Sequence, residues 1–273
     1  MNASTNRPDT KEVTISTDGH VAVVSLNAPE RLNTISGSML VELSHCLLAA
    51  EEDPNVRCVV LTGEGRIFCA GLDMTDQMAG GQGLGVLGDV GSGAEFDLKS
   101  APPVVMYNMD TPIVCALNGG AAGYGLDITL GADIRVASAG AKLNPGFAKR
   151  GIVPESGGTW LLPRIVGLAK AAEIALVGKT LTAEQALHLG LVNHVVSNND
   201  LMPFALSMAH EIAGNAPLAT RAIKRMVRAG HTESFEQNVH HVYLQLLTLF
   251  RTKDFREGIA SYLEKRPPNF EGR

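Results

Sequence analysis

What this chain has little of narrows its function before anything it contains does. Cysteine is sparse: Cys46, Cys58, Cys69 and Cys115 are scattered over 273 residues, with no CxxC pair and no histidine at metal-ligand spacing. That argues against a cysteine-ligated zinc centre, and the expected state is reduced, mostly buried thiols with no metal bound. Long hydrophobic runs are missing too. No stretch of about 18 apolar residues occurs, so no membrane partner is expected. The polar opening, Met1 to Lys11, lacks the apolar centre of a secretion signal, and the expected location is cytoplasmic. Positive charge is in deficit, with 23 Lys and Arg against 28 Asp and Glu and a net charge of −5. No basic cluster is dense enough to make nucleic acid or an anionic membrane the main partner. The densest basic stretch, Arg221 to Arg228, reads most simply as one polar helix face.

What is present is an apolar fraction of 45% in a chain long enough for one large domain, or for a core domain with an appendage. Val13 to Thr17 and Val21 to Leu26 are β-rich runs split by Asp18-Gly19, the signal of a hairpin that belongs at a sheet edge. From Ser36, a plausible N-cap, the apolar residues Met39, Leu40, Leu43, Leu47 and Ala50 recur at helical spacing until Asp53-Pro54 stops the helix. Arg57 to Thr62 then reads as a buried parallel strand, and so does Ile113 to Leu117. Gly123 to Gly131 opens a helix, and Ile134 to Ala137 is a further strand. This alternation predicts an α/β core with parallel pairing and right-handed crossovers. Ala79 to Gly93, with seven glycines, reads as a mobile surface loop, since no GK[ST] follows to make it a phosphate cradle.

After Glu155 the chain turns mostly helical: 168–177, 182–189, 201–213, 217–229, 234–250 and 254–264. The stripe Phe235, Val239, Val242, Leu246 and Phe250 has to be covered, either by this chain's own core or by a neighbouring subunit, and the subunit is favoured. The organisation read from these segments is a flexible N-terminus over residues 1–12, a β/α core over 13–198 and a helical region over 199–273.

Two glycine-bearing elements each follow a buried strand, where open α/β sheets bind ligands. They run from Gly65 to Asp73 and from Asn118 to Asp127. In both, glycine permits close backbone approach, and a following helix start offers N–H groups with no internal partner. Two such loops converging make a two-donor anion hole, although either alone is ordinary turn chemistry.

Taken in order, Asn27 to Asn33, Phe68 to Asp73, Asn118-Gly119 with Gly123 and Gly125, and Pro154 to Trp160 resemble the crotonase superfamily, the enoyl-CoA hydratases and isomerases. Leu181 to Ala186, Gly190 to Val192, Glu257-Gly258 and Lys265-Arg266 extend the resemblance over nearly the whole chain from about Val13. It implies a crotonase (ClpP-like) spiral ββα core with a C-terminal helical trimerisation region, assembled as a homotrimer or a dimer of trimers. It implies an acyl-CoA thioester as substrate, with coenzyme A part of that substrate and no separate cofactor. Carried over by position, the N–H groups of Leu72 and Tyr124 form the oxyanion hole, their side chains mattering less than their amides. Arg31, Leu32, Ala70, Leu72 and Asp73 are expected against the CoA moiety, with Gly123 and Trp160 also at the substrate. A lysine that hydratases often carry just after the aspartate is Thr75 here, so adenine and phosphate contacts are expected to differ.

Proton removal beside a thioester places negative charge on its oxygen, and each preorganised N–H donor aimed there is worth about 2.7–4 kcal/mol by deletion. The acid/base groups then select the outcome. Hydratases use two glutamates, and here the first falls at Asp127 and the second at Phe147, which cannot transfer a proton. Glu155 stands where some isomerase-type and dehalogenase-type members keep their working carboxylate. Without the resemblance it would be an ordinary first-turn acid complementing a helix dipole. Asp127 reads equally well as an acid/base group or as an exposed or capping acid on its helix. One shuttling base suffices for double-bond migration from a 3-enoyl-CoA to a 2-enoyl-CoA, whereas hydration wants a second group to hold water. Glu155 as shuttle is therefore favoured over hydration of a 2-enoyl-CoA, with Asp127 auxiliary. A non-catalytic acyl-CoA-binding protein is the alternative from another class, and Phe147 is what sustains it.

Overall fold

The computed structural model describes residues 11–73 and 98–273. The glycine-rich stretch Ala79 to Gly93, Thr75 and most of the segment 1–12 lie outside the described residues.

Strand β1 (Val13–Asp18) pairs antiparallel with β2 (Val21–Leu26) at the edge of a sheet. The turn sits one residue later than the sequence implies. Asp18 stays in the ladder opposite Val21, and Gly19, at φ +58°, makes the reversal with His20. Helix α1 (Gly37–Glu52) begins where Ser36 Oγ accepts the Met39 N–H at 3.1 Å and buries Met39, Leu43, Leu47 and Ala50. It returns the chain to β3 (Cys58–Gly63), which lies parallel to β2. Past a short helix, α2 (Pro102–Asn108), come β4 (Ile113–Leu117), the two-residue β5 (Ala121–Ala122), helix α3 (Tyr124–Thr129) and β6 (Ile134–Ser138). Strand β7 (Lys142–Asn144) leads on to helices α4 (Gly158–Val166) and α5 (Leu168–Val177), then β8 (Leu181–Thr182), α6 (Ala183–His188) and β9 (His194–Val196).

The larger sheet runs β1-β2-β3-β4-β6-β9, parallel from β2 onward, and β5-β7-β8 form a second, small sheet. Strands β3 and β4 are buried along their whole length because both faces are covered, and so they read as unbroken apolar runs. One face packs Val59, Leu61 and Cys115 into the core that holds α1. The other is covered by α7 (Leu201–Ala213), whose Ala205, Ala209 and Ala213 lie in one cluster with Cys58, Val60, Val114 and Ala116. Alanine at this spacing lets the helix axis come close to the strands. Burial pushes the thiols of Cys58, Cys69 and Cys115 up to about 12, so they pack as small apolar groups.

The remaining helices are α8 (Pro217–Ala229), α9 (Phe235–Leu249) and α10 (Lys253–Glu264). The basic face of α8 is paired rather than left to solvent, with Lys224 buried and Arg225 still exposed. Lys224 Nζ meets Asp133 Oδ2 at 2.8 Å, Arg228 meets Asp133 Oδ1 at 3.0 Å, Arg225 is paired with Asp110, and Arg221 donates to Thr111 Oγ1 at 2.7 Å. Helix α9 buries none of its residues; Phe235 is 79% exposed, and Val239, Val242 and Phe250 are exposed beside it. Among the described residues no helix is long and apolar enough to cross a membrane, and no cluster of three His, Cys, Asp or Glu is arranged to hold a metal.

Candidate active site

The two glycine-bearing loops meet at the carboxyl ends of β3 and β4. Cys69 and Ala121 form a parallel bridge, with Cys69 N–H donating to Gly120 O at 3.2 Å and Ala122 N–H to Cys69 O at 2.9 Å. A second bridge joins Ile35 to Leu72: Ile35 N–H donates to Gly71 O at 2.8 Å and Asp73 N–H to Ile35 O at 2.9 Å. Successive peptides of an extended chain point to opposite sides, so the Leu72 N–H between those two bonds faces away from Ile35. Gly71 turns the chain there at φ +107°, and a side chain on it would meet Ala122 O at 2.9 Å and Tyr124 N at 4.0 Å. Tyr124 opens α3, where no carbonyl lies one turn back to receive its N–H. Gly123, at φ +50° and ψ −124°, gives the chain the reversal that aims that amide outward, while its own N–H is tied to Asn144 O at 2.9 Å. Among the described residues neither the Leu72 nor the Tyr124 amide has an acceptor. The structure thus brings the two amides named from the sequence to the same loop junction.

Glu155 lies in the turn Glu155-Ser156-Gly157 that leads into α4. Both of its carboxylate oxygens are shielded from solvent, and neither has a hydrogen-bond partner among the described residues. Burial raises its pKa, because the ionised form has lost water and gains no cation, only a partial offset from the Glu155 backbone N–H. An unpartnered buried carboxyl is costly in a merely structural position and marks a functional candidate.

Asp127 is on the first turn of α3 and only 3% exposed, so it is not a surface acid. Its Oδ2 accepts the N–H of Ser156 at 2.8 Å and of Gly158 at 3.2 Å. Burial, offset in part by those two bonds and reinforced by the charge of Glu155, pushes its pKa up to about 6. Phe147 is buried, and with Asp127, Pro154, Leu162 and Ile174 it lines an apolar cavity of about 240 Å³ between α3, α4 and α5. Trp160 is off the walls of this cavity; it packs edge-on against Tyr107 at 5.3 Å, with the Arg164 guanidinium 3.8 Å above its ring.

The positions assigned to CoA gather on the other flank of the first loop. Arg31 is held by Glu12 at 2.7 Å and by Asp73 at 3.5 Å. Ala70 N–H donates to Leu32 O at 3.0 Å, and Leu32 is left-handed at φ +60°. The residue that organises this flank was not singled out in the sequence. Asn33, fully buried and left-handed at φ +52°, accepts from Ala28 N at 2.8 Å and donates to Glu64 O, Ile67 O and Phe68 O at 2.9, 2.8 and 3.1 Å. Its signal is the asparagine that ends the Asn27 motif, since asparagine tolerates this backbone region better than most residues.

Parallel crossovers, a second small sheet and two amides without acceptors at a loop junction define an α/β fold that presents a pair of N–H donors at one site. Over residues 16–273 the chain matches the family described as enoyl-CoA hydratase/isomerase, and it belongs to that crotonase-type enzyme family. It is 37% identical over 257 residues to the 1,2-epoxyphenylacetyl-CoA isomerase of Escherichia coli K12, covering 93% of this chain and 95% of that one. It is 34% identical to the (E)-benzylidenesuccinyl-CoA hydratase of Thauera aromatica, covering 95% and 99%. A crystal structure of an enoyl-CoA hydratase from Bacillus anthracis superposes with a TM-score of 0.85 at 30% identity, covering 96% of this chain and all 100% of that one.

Proposed function

We propose that this enzyme moves the double bond of a 3-enoyl-CoA to the 2-position, with Glu155 as the single proton shuttle. The observation that carries the reading is the Glu155 carboxyl, buried and without a partner, in a site where Asp127 is engaged by two amides and Phe147 replaces the second acid. The thioester oxygen sits between the N–H groups of Leu72 and Tyr124, and Arg31, Leu32, Ala70 and Asp73 border the CoA moiety. Glu155 takes the proton from Cα, the electron pair spreads over a dienolate whose oxygen charge the two amides stabilise, and the same proton returns to Cγ. A raised pKa suits a group that must first accept the proton and then donate it. The similar 1,2-epoxyphenylacetyl-CoA isomerase is named for an epoxide substrate, so the choice of double-bond migration rests on Glu155 and not on that likeness.

Hydration of a 2-enoyl-CoA is the second reading, favoured by the similarity to a protein named as a hydratase. Purified protein given 3-enoyl-CoA and 2-enoyl-CoA separates them. Conjugated 2-enoyl-CoA from the first substrate supports isomerisation, and 3-hydroxyacyl-CoA without any migration overturns it. Glu155→Gln should abolish migration, and full turnover by that variant removes Glu155 as the base.

The proposed assembly is a homotrimer or a dimer of trimers built through residues 199–273, with the exposed face of α9 covered by a neighbouring subunit. Sedimentation of the wild type and of Val242→Glu tests it, since a charge on that face should lower the mass to that of a single chain.

A further inference from the structure

We infer that Asp127 is a positioning residue that sets the turn carrying Glu155, and that it does not itself transfer a proton to substrate. This rests on the reading of Glu155 as the base. The geometry is specific. Asp127 Oδ2 receives the N–H of Ser156 and the N–H of Gly158, the residue directly after Glu155 and the one two further on. Two bonds to one oxygen fix the peptide planes on the C-terminal side of Glu155, where the chain turns at Gly157 with φ +87° before α4 begins. The Gly158 amide opens α4 and has no carbonyl one turn back to receive it, and the Ser156 amide lies in the turn before the helix, so the carboxylate supplies what both lack.

The other carboxylate oxygen fixes the chain by contact. A side chain on Gly158 would collide with Asp127 Oδ1, so the glycine is the space in which the carboxylate sits. On the remaining side Asp127 looks into an apolar cavity whose other lining side chains are apolar apart from Thr159, and no second acid or base lines it. Bonded in this way, Asp127 acts on the chemistry only through Glu155. A displacement of about 1 Å at a catalytic group can cost on the order of 10²-fold in rate, which is what the strut prevents.

The reading also accounts for aspartate at this position. The carboxylate has to stop at the backbone of the Glu155 turn, and α3 begins only three residues earlier, at Tyr124, the residue whose amide serves the oxyanion hole. One short, doubly bonded side chain therefore joins the donor of the hole to the turn of the base.

The test compares Asp127→Asn with Asp127→Ala. The asparagine side-chain oxygen can still accept both N–H groups but cannot act as an acid or base. Asp127→Asn should keep most of the wild-type kcat, while Asp127→Ala should lose kcat by roughly 10²-fold with KM little changed. Gly158→Ala, which pushes the carboxylate aside, should reproduce the alanine loss in a chain that keeps Asp127 intact. It also serves if Asp127→Ala does not fold. An Asp127→Asn variant as inactive as Asp127→Ala, or a Gly158→Ala variant with full kcat, overturns the inference. Glu155→Gln, assayed alongside, separates this failure from failure of the functional reading. If Glu155→Gln is inactive and Asp127→Asn is inactive too, Glu155 stands and the positioning role falls; if Glu155→Gln is fully active, both fall.

Discussion

Gly125 and Cys69 touch so closely that a methyl group on the glycine would stand 2.5 Å from the Cys69 carbonyl oxygen and 2.6 Å from its sulfur. This contact seals the two loops that carry the Leu72 and Tyr124 amides, and overpacking it costs about 1–3 kcal/mol. Gly125→Ala is therefore expected to lower the urea midpoint and, by parting the loops, to reduce kcat more than KM. Unchanged kinetics in a folded variant would show that the loop junction does not set the oxyanion site.

Asn33 is expected to be the costliest polar side chain to lose on the first loop. Asn33→Ala leaves the Ala28 N–H and three carbonyls without their partner, at about 1–3 kcal/mol for each group that water cannot reach. Asn33→Asp should not rescue it, because a carboxylate would face three carbonyl oxygens. Equilibrium denaturation of the two variants checks both expectations.

The pH dependence of turnover follows from the environment of Glu155. Its pKa is raised by burial, and as the proposed base it works when ionised. The acid limb of kcat/KM for isomerisation should accordingly lie above the ordinary range of a glutamate, activity falling as pH drops through it. A limb at the value of a solvated carboxyl would contradict this environment.

Asp127 makes a separate prediction about stability. Its pKa is raised to about 6 from 3.8, so between those values the folded state holds more protons than the unfolded state. Stability from this group is present at low pH and declines as pH rises through about 6, by about 3 kcal/mol at most. Asp127→Asn removes the ionisation. The stability difference between variant and wild type should shift toward the variant from pH 4 to pH 6 and level off above, as urea unfolding across pH would show.

Asp133 anchors α8 to the back of the sheet by pairing with Lys224 and Arg228 and accepting the Ile113 N–H at 2.8 Å. Asp133→Ala strands two cations, and a partly exposed acid in a buried pair is expected at the lower end of about 3–5 kcal/mol. Lys224→Met should cost far less, since Asp133 keeps Arg228 and the amide. Thermal unfolding of the two variants separates the cases.

Much of this molecule was legible in one dimension because its signals are local. Ser36 caps α1, the Met39, Leu43, Leu47 stripe faces the core, and β3 and β4 read as buried strands because their periodicity depends only on neighbours in the chain. The loop pair was found because glycine after a strand has a backbone consequence at its own position. The pairing of the Arg221 to Arg228 face was not legible, since Asp110 and Asp133 come from distant segments and a charged stripe looks the same solvated or paired. Nor could Asn33 be ranked, because three of its four partners, Glu64, Ile67 and Phe68, lie more than thirty residues away past the end of β3.

By itself the sequence determined the α/β class, the glycine-bearing strand exits, the identity of Glu155, Asp127 and Phe147, and through its ordered motifs the family. Only the tertiary structure decided that the Glu155 carboxyl is left without a partner while Asp127 is bound to the amides one and three residues after it. The reason is physical: burial and hydrogen-bond partners come from segments far apart in the chain, and a carboxylate has the same formula whether it meets water, an amide or nothing.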